Sequence, residues 1–388
     1  MQTEIDPNTI HIVNDTETLN TCINRLQKAH EISVDTESDS LFVYYEKVCL
    51  IQISADGQSY VIDPLETGDL SRLNDIFSDA AILKIFHAAE YDLMCLKRDF
   101  RFEFNNLFDT MIAARMLGRK EIGLGALIES EFGIHLDKKY QKANWGIRPL
   151  SHEMLQYAVS DTRYLSALKD RLQAELKVRH MEDLANEDFI RLCKTPAGAA
   201  EPAAPVWWKA SGGTELTTSQ IAVLQGLCEF REKAAQQRDI PPFKVISNAA
   251  LVNIVLEDPK TEAALKRIKG VGDSTVKRYG KSIIQINKTW KNRKRIPAHP
   301  SMQRPSNGIL SRREHLKEWR KNTGAGMDVP SDVVLPRDIL EEIAVSGPRT
   351  ETELKEIMKE SPVRFERFGL ELLKISASTT EDSHTESR

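Results

Sequence analysis

The chain has 388 residues, of which 41% are hydrophobic and 28% charged, enough to build two or three domains with proper cores. No apolar run approaches the roughly 20 residues that span a bilayer, and Met1-Gln2-Thr3-Glu4-Ile5-Asp6 lacks the basic start of a signal peptide; the expected compartment is the cytoplasm, with no membrane partner. The net charge of −4 conceals an asymmetry: residues 1–120 carry 20 acidic against 11 basic side chains, a net of −9, whereas residues 269–295 carry nine basic residues against the single Asp273, a net of +8. An acidic front and a basic rear suit a metal-dependent site joined to an anion-binding module. Cys22, Cys49, Cys95, Cys193 and Cys228 are scattered and never form a Cys-x-x-Cys pair, which argues against a disulfide framework or a zinc site.

In chain order, His11-Ile12-Val13 predicts a short strand and Thr16 to Ala29 a helix, with Leu19, Ile23 and Leu26 at helical spacing. Ile32 to Ser38, Val48 to Ser54 and Ser59 to Ile62 predict three consecutive, antiparallel strands, with Asp56-Gly57 as a hairpin turn. The rhythm then changes to a helix near Leu70 to Phe77, a strand Ile82 to Phe86, a helix Ala89 to Arg98, a short strand Leu107 to Asp109 and a helix Thr110 to Leu117. Strands alternating with helices predict an α/β domain with a mixed sheet. A helix from Gly123 stops at Gly133, and one long helix is expected from Ser151, a good N-cap, to Val178.

Residues 195–205 are rich in Pro, Ala and Gly and read as a linker. Beyond it the chain repeats itself at a fixed offset of 89 residues: Pro259 and Pro348, Thr261 and Thr350, Leu265 and Leu354, Ile268 and Ile357, and Arg278 and Arg367 all coincide. Two tandem copies of one small helical domain follow from that register. The second copy has Lys359-Glu360-Ser361 where the first has Gly270-Val271-Gly272. The expected division is a first domain over 1–194, a linker over 195–212, helical domains over 213–296 and 310–376, and a disordered tail over 377–388.

The chemistry concentrates on acids. Asp35 and Glu37, two positions apart on a strand, point to one face about 7 Å apart along the chain. Two like charges there cost stability unless a cation sits between them, and a hard divalent ion suits oxygen ligands. Asp92 lies where a strand hands over to a helix; Tyr157 and Asp161, at i and i+4, share a helical face. Asp109 reads as an N-cap, His87 as a structural histidine, and Trp145, Trp207 and Trp208 as packing residues rather than base-stacking ones.

Taken together, Asp35-x-Glu37, Asp92 and Tyr157-x-x-x-Asp161 resemble the three ordered motifs of the DEDD exonucleases in their tyrosine-containing branch. Leu136-Asp137-Lys138 and Trp145-Gly-Ile-Arg-Pro-Leu150 are similar to the ribonuclease D family in particular, and the duplicated module resembles the HRDC domain. The resemblance implies a ribonuclease H-like mixed sheet with flanking helices, followed by two all-α HRDC-type domains. It implies 3′→5′ hydrolysis of RNA such as tRNA precursors to nucleoside 5′-monophosphates, with two divalent ions, Mg²⁺ or Mn²⁺, on Asp35, Glu37, Asp92 and Asp161. Tyr157 would orient the attacking water, a neutral phenol being a poor ligand beside carboxylates. A DNA exonuclease and a catalytically silent RNA-binding adaptor are the rival readings. In the first repeat, the Gly270 and Gly272 turn, with Lys277, Arg278, Lys281, Lys291, Arg293, Lys294 and Arg295, reads either as an RNA contact or as a tight interhelical turn before a solvated helix, and the net of +8 favours RNA.

Overall fold

A computed structural model describes residues 9–199, 204–293, 296–297 and 305–378. Contacts divide the chain into two compact units, one of Met1–Glu37, Val48–Gly198 and Gln303–Arg388, the other of Ser38–Lys47 and Ala199–Met302. The first unit is built on six strands: β1 (Ile10–Val13), β2 (Glu31–Ser38), β3 (Val48–Ala55), β4 (Gln58–Ile62), β5 (Leu83–Phe86) and β6 (Leu107–Asp109), in the spatial order β1-β4-β3-β2-β5-β6. Strand β3 pairs antiparallel with β4, while β1/β4, β2/β5 and β5/β6 run parallel, so the sheet is mixed. Asp56 and Gly57 both take positive φ, 49° and 74°, the conformation that a tight hairpin with the strands' own twist requires.

Counting helices of seven or more residues, this unit holds α1 (Thr16–Leu26), α2 (Glu90–Phe100), α3 (Thr110–Met116), α4 (Leu124–Phe132), α5 (His152–Arg163), α6 (Leu165–Val178) and α7 (Glu182–Cys193). The segment expected as one long helix is two, α5 and α6, which part at Tyr164, where φ is −100° and ψ −4°. The segment expected as a helix over Leu70 to Phe77 is a 3₁₀ turn followed by a single α turn. One face of the sheet buries Ile32, Val34, Ile51 and Ile53 against α1 and α2; the other buries Leu50 and Val61 against Met154, Ala158 and Val159 of α5. Strand alternation on β2 therefore directs Ile32 and Val34 to one layer and Glu31, Ser33, Asp35 and Glu37 to the other. Glu31 bears this out: it accepts from Ser166 and pairs with Lys169 Nζ at 2.7 Å, both on α6. The start of the expected linker is held down, Gly198 N donating to Met94 O at 2.9 Å and Lys97 Nζ to Thr195 O at 2.6 Å.

The duplication keeps its register in the fold. The first copy holds α8 (Thr218–Gln237), α9 (Asn248–Glu257) and α10 (Asp273–Thr289); the second holds α11 (Asn307–Met327), α12 (Arg337–Ser346), α13 (Glu351–Ile357) and α14 (Pro362–Ser378). Thr261 and Thr350, one offset apart, each cap a helix through the hydroxyl, at 3.1 and 3.2 Å. Residues 379–388 of the expected tail and 200–203 of the linker lie outside the described residues. No helix among the described residues is long and apolar enough to cross a membrane.

The second copy belongs to the same compact unit as the sheet, and a buried ion pair joins them. Arg364, fully buried, donates from Nη1 to Glu187 Oε1 at 2.6 Å and to Asp188 Oδ1 at 2.8 Å, and from Nη2 to Val333 O at 2.9 Å. Glu187 Oε2 also accepts from Val363 N at 2.7 Å, so an acid on α7 caps α14 and meets its positive dipole end. Arg191 with Asp338 and Arg367 with Asp183 extend the contact at 2.6 and 2.5 Å. Removing one partner of a buried pair leaves the other charge uncompensated, which costs about 3–5 kcal/mol. Arg364→Ala is expected to lower unfolding stability by that amount, whereas Arg313, on α11 and paired at 2.8 Å with the more exposed Glu341 of α12, should lose under about 1 kcal/mol on replacement by Ala; urea denaturation followed by circular dichroism reads the difference.

Candidate active site

Strand β2 ends at the site. Because its odd-numbered side chains face the α5 and α6 layer, Asp35 and Glu37 meet Asp161 of α5, and carboxylate oxygens of the three lie within 4.8 Å of one another. Tyr157 lies one helical turn before Asp161, on the same face of α5. Burial and mutual repulsion dominate the electrostatics. Glu37 is pushed up to about 10 by burial and then by the charges of Asp35, Asp161 and Asp92. Asp35 is raised to about 7 by burial, and Asp161 to about 8 by burial and then Asp35. The Tyr157 phenol is pushed far above its ordinary range by burial, then by Asp161, so it stays a neutral hydroxyl.

Asp92 arrives from the opposite layer, in the first turn of α2. Thr36, whose side chain alternates away from Asp35 and Glu37, donates its hydroxyl to Asp92 Oδ1. The pKa of Asp92 is raised by burial and then by Asp35, yet it is not among the three acids whose oxygens converge. Nothing in the sequence pattern singled out Thr36; only strand alternation combined with the position of α2 could have done so.

Asp109 holds that passage in place. Its Oδ1 accepts from Met111 N and Ile112 N at 2.8 and 2.9 Å, the N-cap expected from sequence, while Oδ2 accepts from Ala89 N at 2.7 Å. The turn it secures includes Ala88 at φ 62°, a left-handed conformation that a Cβ makes costly. His87 Nδ1 lies 2.9 Å from Thr110 Oγ1, whose only proton goes to Phe86 O at 3.0 Å; the imidazole must therefore donate from Nδ1. Burial lowers the His87 pKa to about 4, leaving a neutral, structural ring.

Behind Tyr157, Trp145 is 1% exposed and its ring centroid is 6.0 Å from that of Tyr157, so it packs rather than stacks on a ligand. Arg148 fixes the loop that carries Trp145, donating to both oxygens of Asp63 and from Nη2 to Cys49 O at 2.9 Å. In the second unit, Trp207 and Trp208 pack edge to face at 5.8 Å.

The expected RNA contacts of the first repeat divide into two groups. Lys277, Arg278 and Lys281 are exposed on α10, and Gly270 takes φ 90°, where an added Cβ would sit 3.1 Å from Ala250 Cβ. Gly272 is the N-cap of α10. By contrast, Lys291 is paired with Asp258, and Arg293 stacks on Trp290 at 3.9 Å. Lys294 and Arg295 lie outside the described residues.

Residues 10–177 match the 3′-5′ exonuclease family, and residues 220–286 and 310–375 each match the HRDC domain. Ribonuclease D of Zymomonas mobilis is 31% identical over 267 residues, covering 68% of this chain and 68% of its own. Exosome complex component 10 of Rattus norvegicus is 32% identical over 264 residues, which take in 64% of this chain but only 29% of that longer protein. The crystal structure of Escherichia coli RNase D shares 22% identity at a TM-score of 0.64, covering 91% of this chain and 99% of its own, a likeness of fold. With an exonuclease domain ahead of two HRDC domains and a relative matched over two thirds of both chains, the protein belongs to the ribonuclease D family.

Proposed function

We propose that this protein is a 3′→5′ exoribonuclease that trims the 3′ ends of structured RNA such as tRNA precursors, releasing nucleoside 5′-monophosphates. The observation that carries the reading is the convergence of Asp35, Glu37 and Asp161 within 4.8 Å, with Tyr157 one helical turn from Asp161. The donor set is oxygen throughout, which suits hard cations, and its raised pKa values mean that the bare cluster holds protons where a cation belongs. Asp35, Glu37 and Asp161 would hold one divalent ion and Asp92, with Asp35, a second, Mg²⁺ or Mn²⁺. Two such ions supply hydroxide at neutral pH and neutralise charge on the scissile phosphate and leaving oxygen.

The chain's own groups do the positioning. Tyr157, a neutral hydroxyl on the same helical face as Asp161, would orient the attacking water through its hydroxyl. Thr36 and Asp109 fix Asp92, one by a direct hydroxyl bond and the other by tying down the turn before α2. The exposed Lys277, Arg278 and Lys281 offer phosphate contacts for the body of the RNA, while Lys291 and Arg293 are already engaged within their domain.

Each raised carboxyl binds its proton more tightly in the folded state than in the unfolded one. The ion-free fold is therefore most stable below the ordinary carboxylate range of 4.5 and loses that stability as pH rises toward about 10 for Glu37. Near pH 7.5, Mg²⁺ is expected to raise the Tm of the unaltered protein. Asp35→Asn is expected to raise Tm in EDTA, to blunt the Mg²⁺ response and to lower release of 5′-monophosphates by about 10³-fold or more. Scanning fluorimetry and product chromatography on a 3′-tailed RNA check this; normal turnover by Asp35→Asn would remove the assignment.

Tyr157→Phe removes a hydroxyl and no charge, so the single-turnover rate should fall by about 10²–10⁴-fold while RNA affinity changes little. An unchanged rate would take Tyr157 out of the mechanism. Charge reversal of Lys277, Arg278 and Lys281 should weaken binding of a long structured RNA and flatten its salt dependence, the slope falling by about 0.7–0.9 for every phosphate these side chains cease to neutralise, without altering hydrolysis of a short oligonucleotide. Equal salt slopes would make these side chains a solvated face.

A further inference from the structure

The loop between α4 and α5 carries a second feature beside the acids. Lys138-Lys139-Tyr140-Gln141-Lys142 folds as a turn, with Gln141 N donating to Lys138 O at 3.2 Å and Ala143 N to Tyr140 O at 2.9 Å. Its three lysines are exposed, and among the described residues none has a carboxylate within ion-pair distance. Tyr140 is half-buried: it packs into the cluster of Trp145, Met154 and Val159, and its ring meets that of Tyr157 edge to face at 6.0 Å. Lys139 Nζ lies 5.0 Å from the Tyr140 ring centroid. At the loop's far end, the fork of Arg148 on Asp63 holds the segment against the sheet.

We propose that Lys139, Tyr140 and Lys142 form the ledge on which the 3′-terminal stretch of a single-stranded RNA lies as it enters the site. The Tyr140 ring stacks on a base and the two ammonium groups take the flanking phosphates. The proposal rests on the exoribonuclease reading and names its substrate contacts. Its physical basis is a mismatch: a cluster of carboxylates repels a polyanion, so an acidic site needs cations close by, not already bound to acids, to hold the strand. Here Lys139 stands one aromatic ring away from Tyr157, with Lys142 exposed in the same turn. Alternating cations and an aromatic face bind single strands without regard to sequence, which suits a stepwise exonuclease that must accept every base. A ring wedged against Tyr157 also has a fixed place, so a base stacked on it is registered relative to the carboxylates.

The test uses the full chain and a short oligouridylate labelled at its 5′ end. Fluorescence anisotropy in EDTA measures binding without turnover, and hydrolysis in Mg²⁺ gives KM and kcat. Lys139→Gln with Lys142→Gln should weaken binding and lower the salt slope by about 1.4, roughly 0.7 for each phosphate contact; KM should rise by more than kcat falls. Tyr140→Leu, which keeps apolar packing but loses the ring, should weaken binding about 5- to 100-fold, and Tyr140→Phe should recover most of that loss. Lys28→Gln, at an exposed lysine just after α1, is the control. Hydrolysis of the p-nitrophenyl ester of uridine 5′-monophosphate, too small to reach the ledge, reports whether each variant's site is intact. Affinity and salt slope equal to those of Lys28→Gln would overturn the ledge. Failure of the unaltered protein to degrade the oligonucleotide would instead overturn the exoribonuclease reading.

Discussion

The constraint on which this structure depends is the repulsion among carboxylates brought together in a poorly solvated place. Asp35, Glu37 and Asp161 converge within 4.8 Å and each is driven toward its protonated form. Such a group gains nothing for folding on its own, so the rest of the domain must hold it against its own electrostatics. The sheet does so by placing β2 between β3 and β5, where apolar side chains bury one face while the acids are confined to the other. The cluster is thus preorganised for cations, and the free energy stored in repulsion is released when charge is neutralised.

Holding the fourth acid needs separate devices, because Asp92 comes from the opposite layer. A threonine hydroxyl grips its carboxylate, and Asp109 bonds at once to the start of α3 and to the amide of Ala89 ahead of α2. One buried side chain thereby couples two helix starts, and the left-handed Ala88 is held in the turn ahead of α2. The same economy governs the other wall, where Arg148 and Asp63 lock the loop whose aromatic residues back Tyr157. These side chains lie outside the acidic cluster and fix where its members and Tyr157 can be.

The two HRDC copies show how one fold diverges by what its cations touch. Arg278 of the first copy is exposed, whereas Arg367, its counterpart, is bound to Asp183. Arg364, where the first copy has Thr275, is buried between Glu187 and Asp188. A cation paired and desolvated as Arg364 is cannot also meet a phosphate without breaking that pair. Ser361, standing where the first copy has Gly272, is buried against Arg191. The glycine turn of the first copy is replaced in the second by part of its seat on α7.

Much of this was legible in the residues themselves. Period-two alternation places Asp35 and Glu37 on one face, the i, i+4 spacing joins Tyr157 to Asp161, and both are local geometry that a chain carries wherever it folds. The strands, the Asp56-Gly57 turn, the Asp109 cap and the gapless duplication are local in the same sense. What the sequence could not show were relations between distant segments. The break at Tyr164 divides a helical pattern that runs on without a glycine or proline. The grip of Thr36 on Asp92 spans 56 residues, and that of Arg364 on Glu187 spans 177. Tyr140 reads as one aromatic among lysines until the fold sets it against Tyr157. Side-chain spacing along a strand or helix is determined by backbone geometry, but which layer a helix joins is decided by burial of its apolar face. Only when the layers are assembled do two acids on a strand, one on a helix behind it and one from the helix opposite become a single site.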